Sequence, residues 1–144
     1  MKESREEKWF FLDTNIFLRI FVKENEKTFR DCLKLLNLVS RGKITAFTSI
    51  NVLIEINFVL TSFYKFRKEK IVEAMKSIVE LPHLKIIDEF NLRYALELYL
   101  KNKVKLIDCL ITSSTLIMEN MACVVSYDRD FDKLEVKRLK PGDF

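Results

Sequence analysis

Four short apolar runs, separated by longer stretches with helical periodicity, constrain this chain more than any other feature. Trp9-Phe10-Phe11-Leu12, Ile44-Thr45-Ala46-Phe47, Leu84-Lys85-Ile86-Ile87 and Cys123-Val124-Val125-Ser126 have strand length and read as strands of a buried sheet. Between them lie amphipathic segments. Residues 26–41 carry Phe29, Cys32, Leu33, Leu35, Leu36 and Val39 at 3.6-residue spacing, with Gly42 as a C-cap. Thr48 or Ser49 caps a helix reaching about Ser62. A helix over about 67–80 follows, with Ile71, Val72, Met75, Ile78 and Val79 on one face. Asp88 or Asn91 opens the next, a further helix covers about 106–120, and Glu135-Val136-Lys137 is a short last strand. This alternation predicts an α/β fold, a three-layer α/β/α sandwich with a mainly parallel central sheet. In such sheets the ligand crevice lies beyond the carboxyl ends of the strands.

Composition narrows the chemistry. The chain has 144 residues, suited to one domain, here residues 9–144 behind a polar extension of residues 1–8. An apolar content of 49% excludes a disordered chain, and two glycines and two prolines exclude collagen-like and low-complexity classes. Cys32, Cys109 and Cys123 are odd in number and lack C-x-x-C spacing, which argues against a disulfide scaffold or a cysteine zinc site and for a reducing compartment. His83 is the one histidine, so mechanisms needing two imidazoles are excluded and any catalysis rests on carboxylates. A net charge of +4 permits a nucleic-acid partner. No signal-like segment and no run of 18 uncharged apolar residues occurs, so the expectation is a soluble cytoplasmic domain without a membrane association.

Four carboxylates stand in unusual places. Asp13 directly follows the first strand, where it also suits a helix cap. Glu55 sits in Ile50-Asn51-Val52-Leu53-Ile54-Glu55-Ile56-Asn57-Phe58-Val59-Leu60, apolar nearly all round and therefore expected to be buried, with no basic residue three or four positions away. Asp108 interrupts Leu106-Ile107-Asp108-Cys109-Leu110-Ile111 in a first helical turn, where the helix dipole also favours an acid. Asp128 lies just past the fourth strand. Two carboxylates about 5 Å apart repel by roughly 3 kcal/mol at an effective dielectric of 20. A cluster of four needs protons, a basic side chain or a divalent cation, and oxygen ligands without histidine or cysteine select Mg²⁺ or Mn²⁺.

Phe11-Leu12-Asp13-Thr14-Asn15-Ile16, Thr48-Ser49 followed by Leu53-Ile54-Glu55-Ile56, Leu106-Ile107-Asp108-Cys109-Leu110-Ile111 and Val125-Ser126-Tyr127-Asp128-Arg129-Asp130-Phe131 together resemble the four signature segments of PIN-domain ribonucleases. The similarity is greatest to the small VapC-type toxins of toxin–antitoxin pairs and runs from about Phe10 to Pro141. The resemblance implies a Mg²⁺- or Mn²⁺-dependent endoribonuclease, acting on RNA as a homodimer and held by a small antitoxin protein. It implies that Asp13, Glu55, Asp108 and Asp128 hold metal and activate water, with Asp130 sharing or replacing the role of Asp128. It also implies that Ser126 assists water or metal and that Asn15 supports the first acid. Cys109, where alanine is frequent, is a packing change. A silent PIN-fold binding or dimerisation module and a structure-specific DNA nuclease are the alternatives.

Two basic clusters remain, Lys101, Lys103 and Lys105 before the Asp108 helix and Lys65, Arg67, Lys68 and Lys70 before another. Each is either an RNA-attracting patch or a solvated helix end. Phe63, Tyr64 and Phe66 suit packing better than base stacking, and His83 beside Pro82 reads as a loop residue.

Overall fold

The computed structural model describes residues 8–144; residues 1–7 of the polar extension lie outside the described residues. Five strands form a sheet in the order β3-β2-β1-β4-β5: β1 is Trp9–Leu12, β2 Thr45–Ser49, β3 Leu84–Ile87, β4 Ala122–Val125 and β5 Arg138–Leu139. All pairings among the described residues are parallel, so every strand carboxyl end lies along one edge. Leu12 is in register with Val125, and Phe11 with Phe47, which sets Asp13, Ser126 and the end of β2 side by side along that edge.

The helices are α1 (Thr14–Phe21), α2 (Glu26–Ser40), α3 (Ile50–Ser62), α4 (Lys68–Val79), α5 (Leu92–Lys101), α6 (Leu106–Thr112) and α7 (Thr115–Met118), with a 3-10 helix over Arg129–Leu134. α1 packs on α2 and α3, and α3 on α4, while α5, α6 and the 3-10 helix form a second group. Phe11, Leu12, Phe47, Val124 and Val125 of the sheet are wholly buried among Ile16, Leu35, Ile56, Leu60 and Ile111 of the helices. The result is the expected α/β sandwich. Gly42 ends α2 as anticipated: it takes φ +69° just past Arg41 and donates its N–H to Val39. The His83 ring packs against it in the loop before β3.

Three expectations need correction. The single helix over 106–120 is two helices, α6 and α7, broken at Ser113-Ser114. The Ser113 hydroxyl donates to the Leu110 carbonyl and accepts the Asn91 N–H, a local competition for the backbone that serine side chains favour. The last strand lies at Arg138–Leu139, not 135–137, because Glu135 turns left-handed (φ 58°) to end the 3-10 helix, which displaces the sheet pairing along the chain. Lastly, α3 is not buried all round. Val52, Leu53, Ile56 and Leu60 face the core, whereas Ile50, Ile54 and Phe58 form an exposed apolar row at four-residue spacing. Glu55 is accordingly half-buried rather than buried.

Tyr64 and Phe66 pack against the main core, with the Lys70 ammonium 4.2 Å from the centre of the Phe66 ring, and Phe63 stays exposed.

Candidate active site

Asp13 leaves β1 in extended conformation and caps α1, its Oδ1 accepting the Thr14 N–H at 2.8 Å. Its own N–H donates to the Val125 carbonyl, which continues the sheet by one more bond. Oδ2 accepts the Ser126 hydroxyl at 2.6 Å and, at 3.5 Å, the Asn15 amide. The capping role and membership of an acidic cluster thus coincide in one side chain.

Ser126 is the junction of the site. It is fully buried and donates to Asp13 while accepting from Asn15 Nδ2 at 3.1 Å and from the Asp128 N–H at 2.9 Å. One donor and two acceptor positions exhaust a hydroxyl. Within the chain, Ser126 therefore has its donor and both acceptor positions engaged, and it ties Asp13, Asn15 and Asp128 together. Asn15 closes the same loop, its Oδ1 accepting the Tyr127 N–H at 3.4 Å.

Glu55 reaches this edge from α3, where Thr14 Oγ1 donates to its Oε2 at 2.7 Å. Asp108, in the first turn of α6, is buried, and its Oδ2 has no hydrogen-bond partner. Asp128 caps the 3-10 helix by accepting the Asp130 N–H at 2.9 Å. One oxygen from each of Asp108, Asp128 and Asp130 lies within 4.8 Å of the others, so both Asp128 and Asp130 belong to the cluster.

The electrostatics follow from burial and crowding. Desolvation pushes the Asp13 carboxyl up to about 6; the Ser126 and Thr14 hydrogen bonds oppose it, and the negative charges of Glu55 and Asp128 add to it. Asp108 is pushed up to about 7, first by burial and then by Asp13 and Asp128, against the attraction of Lys105. Lys105, the extended residue that precedes α6, places its Nζ 3.6 Å from Asp128 Oδ2. Burial works against its charge, yet Asp108, Asp128, Glu55 and Asp13 together hold its ammonium above the usual lysine range.

A buried carboxylate oxygen without a donor, beside other acids, is a group lacking a positive partner. Carboxylate oxygens with no nitrogen or sulfur ligand suit a hard divalent cation, and the residues present fit one. His83 sits with Gly42, ahead of β3 and β2, at the other edge of the sheet.

Two site residues escaped the sequence reading. Thr14 lies within the Asp13-Thr14-Asn15 segment, but nothing local shows that its hydroxyl reaches a glutamate 41 positions away. Lys105 belonged to a recognised basic cluster, and its place three residues before Asp108 was the available signal.

A parallel sheet with aspartates following β1 and β4 is an arrangement that PIN domains share; the family model for the PIN domain matches residues 10–137, and the chain belongs to this family. Its relatives include a VapC ribonuclease of Aquifex aeolicus (strain VF5), 29% identical over 130 residues that cover 90% of this chain and 95% of that protein. Among solved structures, VapBC2 from Rickettsia felis bound to a DNA fragment from its promoter superimposes with a TM-score of 0.64 at 23% identity, covering 92% of this chain and 98% of that one. Mycobacterium tuberculosis VapC20, a sarcin-ricin loop cleaving toxin, gives a TM-score of 0.65 at 13% identity, over 88% and 95% of the two chains. The chain is a homologue of VapC ribonucleases.

Proposed function

We propose that this protein is an endoribonuclease dependent on Mg²⁺ or Mn²⁺, the toxin of a toxin–antitoxin pair. The carrying observation is the grouping of Asp108, Asp128 and Asp130 within 4.8 Å, with Asp108 Oδ2 buried and unpartnered and with the charges of Asp13 and Glu55 acting on the same cluster. Asp108, Asp128 and Asp130 would hold the cation, with Asp13 and Glu55 at its flank. Such an ion supplies Lewis-acid polarisation of a phosphoryl oxygen and a water acidic enough to act as nucleophile near neutral pH.

The chain's own residues set the stage for that chemistry. Ser126 and Thr14 N–H fix both oxygens of Asp13, and Thr14 Oγ1 fixes Glu55, so the acids are oriented before any substrate arrives. Asp108 carries a proton over part of the time near neutral pH and releases it as positive charge enters the cluster. Asp13 and Glu55 would accept the proton of the attacking water. In-line attack on RNA then leaves 5′-phosphate and 3′-hydroxyl ends.

Partners follow from the same reading. The exposed row Ile50, Ile54 and Phe58 on α3 supports a homodimer. The VapBC2 assembly of Rickettsia felis supports a small antitoxin partner, for which a basic side chain would complement the acids. No helix among the described residues is long and apolar enough to cross a membrane, and the proposed site of action is the cytoplasm.

The test is calorimetric titration of Mg²⁺ and Mn²⁺, paired with cleavage of single-stranded RNA, for the wild type and the Asp13→Asn/Asp108→Asn double variant. Binding and cleavage in the wild type, both lost in a folded variant, are expected. Cation binding without turnover of RNA or flapped DNA would instead make the chain a silent PIN module, and turnover of flapped DNA alone would make it a DNA nuclease.

A further inference from the structure

Lys105 combines three properties that no other lysine of the site shares. Its ammonium pairs with Asp128 at 3.6 Å, its side chain is 61% exposed, and it lines an open cavity of about 960 Å³. Asp130, the one acid of the cluster in its wall, shares that wall with Lys103, Asn102 and the half-exposed Tyr99 and with the apolar Leu96, Leu100 and Val104, so the cavity adjoins the acidic cluster and offers both charge and apolar surface. Lys133, by contrast, pairs with Asp130 at 3.1 Å within its own 3-10 helix and does not line this cavity.

Lys105 Nζ stands 3.6 Å from Asp128 Oδ2, beyond hydrogen-bond length and on a largely exposed, flexible stem, so the acids hold it by charge and not by a fixed bond. A divalent cation taken up by Asp128 brings twice the charge to the same oxygen and would displace it. The released ammonium then stands at the cavity mouth, beside the place where an RNA phosphate must meet the cluster. We propose that Lys105 alternates between two anions: it is the internal counter-ion of Asp128 in the cation-free site, and it binds a phosphate oxygen of RNA in the loaded one, with the chain continuing along the Lys103–Tyr99 cavity. This rests on the ribonuclease reading and assigns its substrate contact.

The two roles predict opposite changes on removing one charge. In Lys105→Met, Mn²⁺ affinity measured by calorimetry without RNA rises about two- to fivefold, the factor an exposed ion pair is worth. Affinity for a short mixed-sequence single-stranded RNA, measured by anisotropy with Ca²⁺ in place of Mg²⁺, falls, and its log–log salt slope becomes shallower by about 0.7, one phosphate contact. Lys105→Arg keeps the wild-type slope. Lys43→Met, exposed ahead of β2 at the far edge, changes neither quantity. Damage to the fold would lower both affinities together and overturn the proposal. So would an unchanged Mn²⁺ affinity, or an RNA affinity and slope equal to wild type. If the wild type binds Mn²⁺ but no RNA at low salt, the ribonuclease reading fails and takes the phosphate role with it. The Mn²⁺ arm still decides the counter-ion role in that case, and a wild type that binds no Mn²⁺ overturns that role as well.

Discussion

Ser126 Oγ donates to Asp13 Oδ2 at 2.6 Å across 113 positions of sequence, and this one bond ties the end of β4 to the end of β1. It also keeps Asp13 more acidic than burial alone would leave it. Ser126→Ala removes the donor and strands the Asp128 N–H, so unfolding free energy should fall by roughly 1–3 kcal/mol. The pH midpoint for Mn²⁺ binding should move upward, since Asp13 then needs a higher pH to ionise. Calorimetry over a pH series, alongside thermal melts, checks both.

The raised carboxyls fix the sign of the pH dependence. Asp13 at about 6 and Asp108 at about 7 hold protons in the folded protein that the unfolded chain has already lost above about pH 4. Stability in chelator, as far as these two groups decide it, is therefore greatest below about pH 4 and declines as pH rises from there to about 7. Above about pH 8 their contribution levels off. Added Mn²⁺ should restore stability most on the alkaline side, because the ligands bind metal when ionised. A metal-free melting temperature that climbs from pH 5 to pH 8, with Asp108→Asn showing the same climb, would contradict this.

Asp108→Asn separates stability from activity. The amide cannot carry the charge that the buried site disfavours, so the variant should melt a few degrees higher than wild type in chelator at pH 8, corresponding to about 1 kcal/mol. RNA cleavage and cation binding should be lost in the same protein. Scanning calorimetry with and without Mn²⁺ distinguishes this from a variant that is simply damaged.

Thr14 acts through Glu55. Thr14→Val keeps the shape but removes the 2.7 Å donor, and cleavage should drop roughly 10–100-fold, the usual cost of losing a partner that orients a metal ligand. Thr14→Ser should recover most of it. Initial rates at saturating and subsaturating Mn²⁺ show whether the loss lies in cation affinity.

The apolar row on α3 predicts the assembly state. Ile54 is 64% and Phe58 67% exposed, so Ile54→Asp or Phe58→Asp should leave monomer stability within about 0.5 kcal/mol while dissociating a homodimer. Sedimentation velocity across a concentration series reads the outcome, and an unchanged mass would remove α3 from the interface.

Sequence made the strands legible through length and composition. Runs such as Trp9-Phe10-Phe11-Leu12 and Cys123-Val124-Val125-Ser126 are too short for helices and rich in aromatic or β-branched residues, and Phe11, Leu12, Val124 and Val125 are wholly buried. The acids were legible for the same reason: a carboxylate directly beside such a run stands out. Periodicity failed where packing or side-chain hydrogen bonds decided. Ser113 broke a helix whose apolar pattern continues through Leu116 and Ile117. Ile54 and Phe58 are as apolar as Ile56 and Leu60, so no pattern told the exposed row of α3 from its buried face. The choice between Asp128 and Asp130 had no answer in spacing, since the 3-10 turn brings both to Asp108. Long-range partners such as Thr14 and Glu55 exist only once β1 and β2 lie in register.

The central position of β4 beside β1 has a last consequence for how this protein comes into being. β4 begins at residue 122, yet it is the immediate neighbour of β1, so the site is stitched together from elements more than a hundred residues apart. A growing chain that has completed β1, α1, β2 and α3 already contains Asp13 and Glu55, but not Ser126, Asp108 or the aspartates of the 3-10 helix. An amino-terminal fragment that stops ahead of β4 lacks Ser126, Asp128 and Asp130 and cannot hold the assembled cluster. Synthesis must therefore pass β4 and the 3-10 helix before these acids can meet.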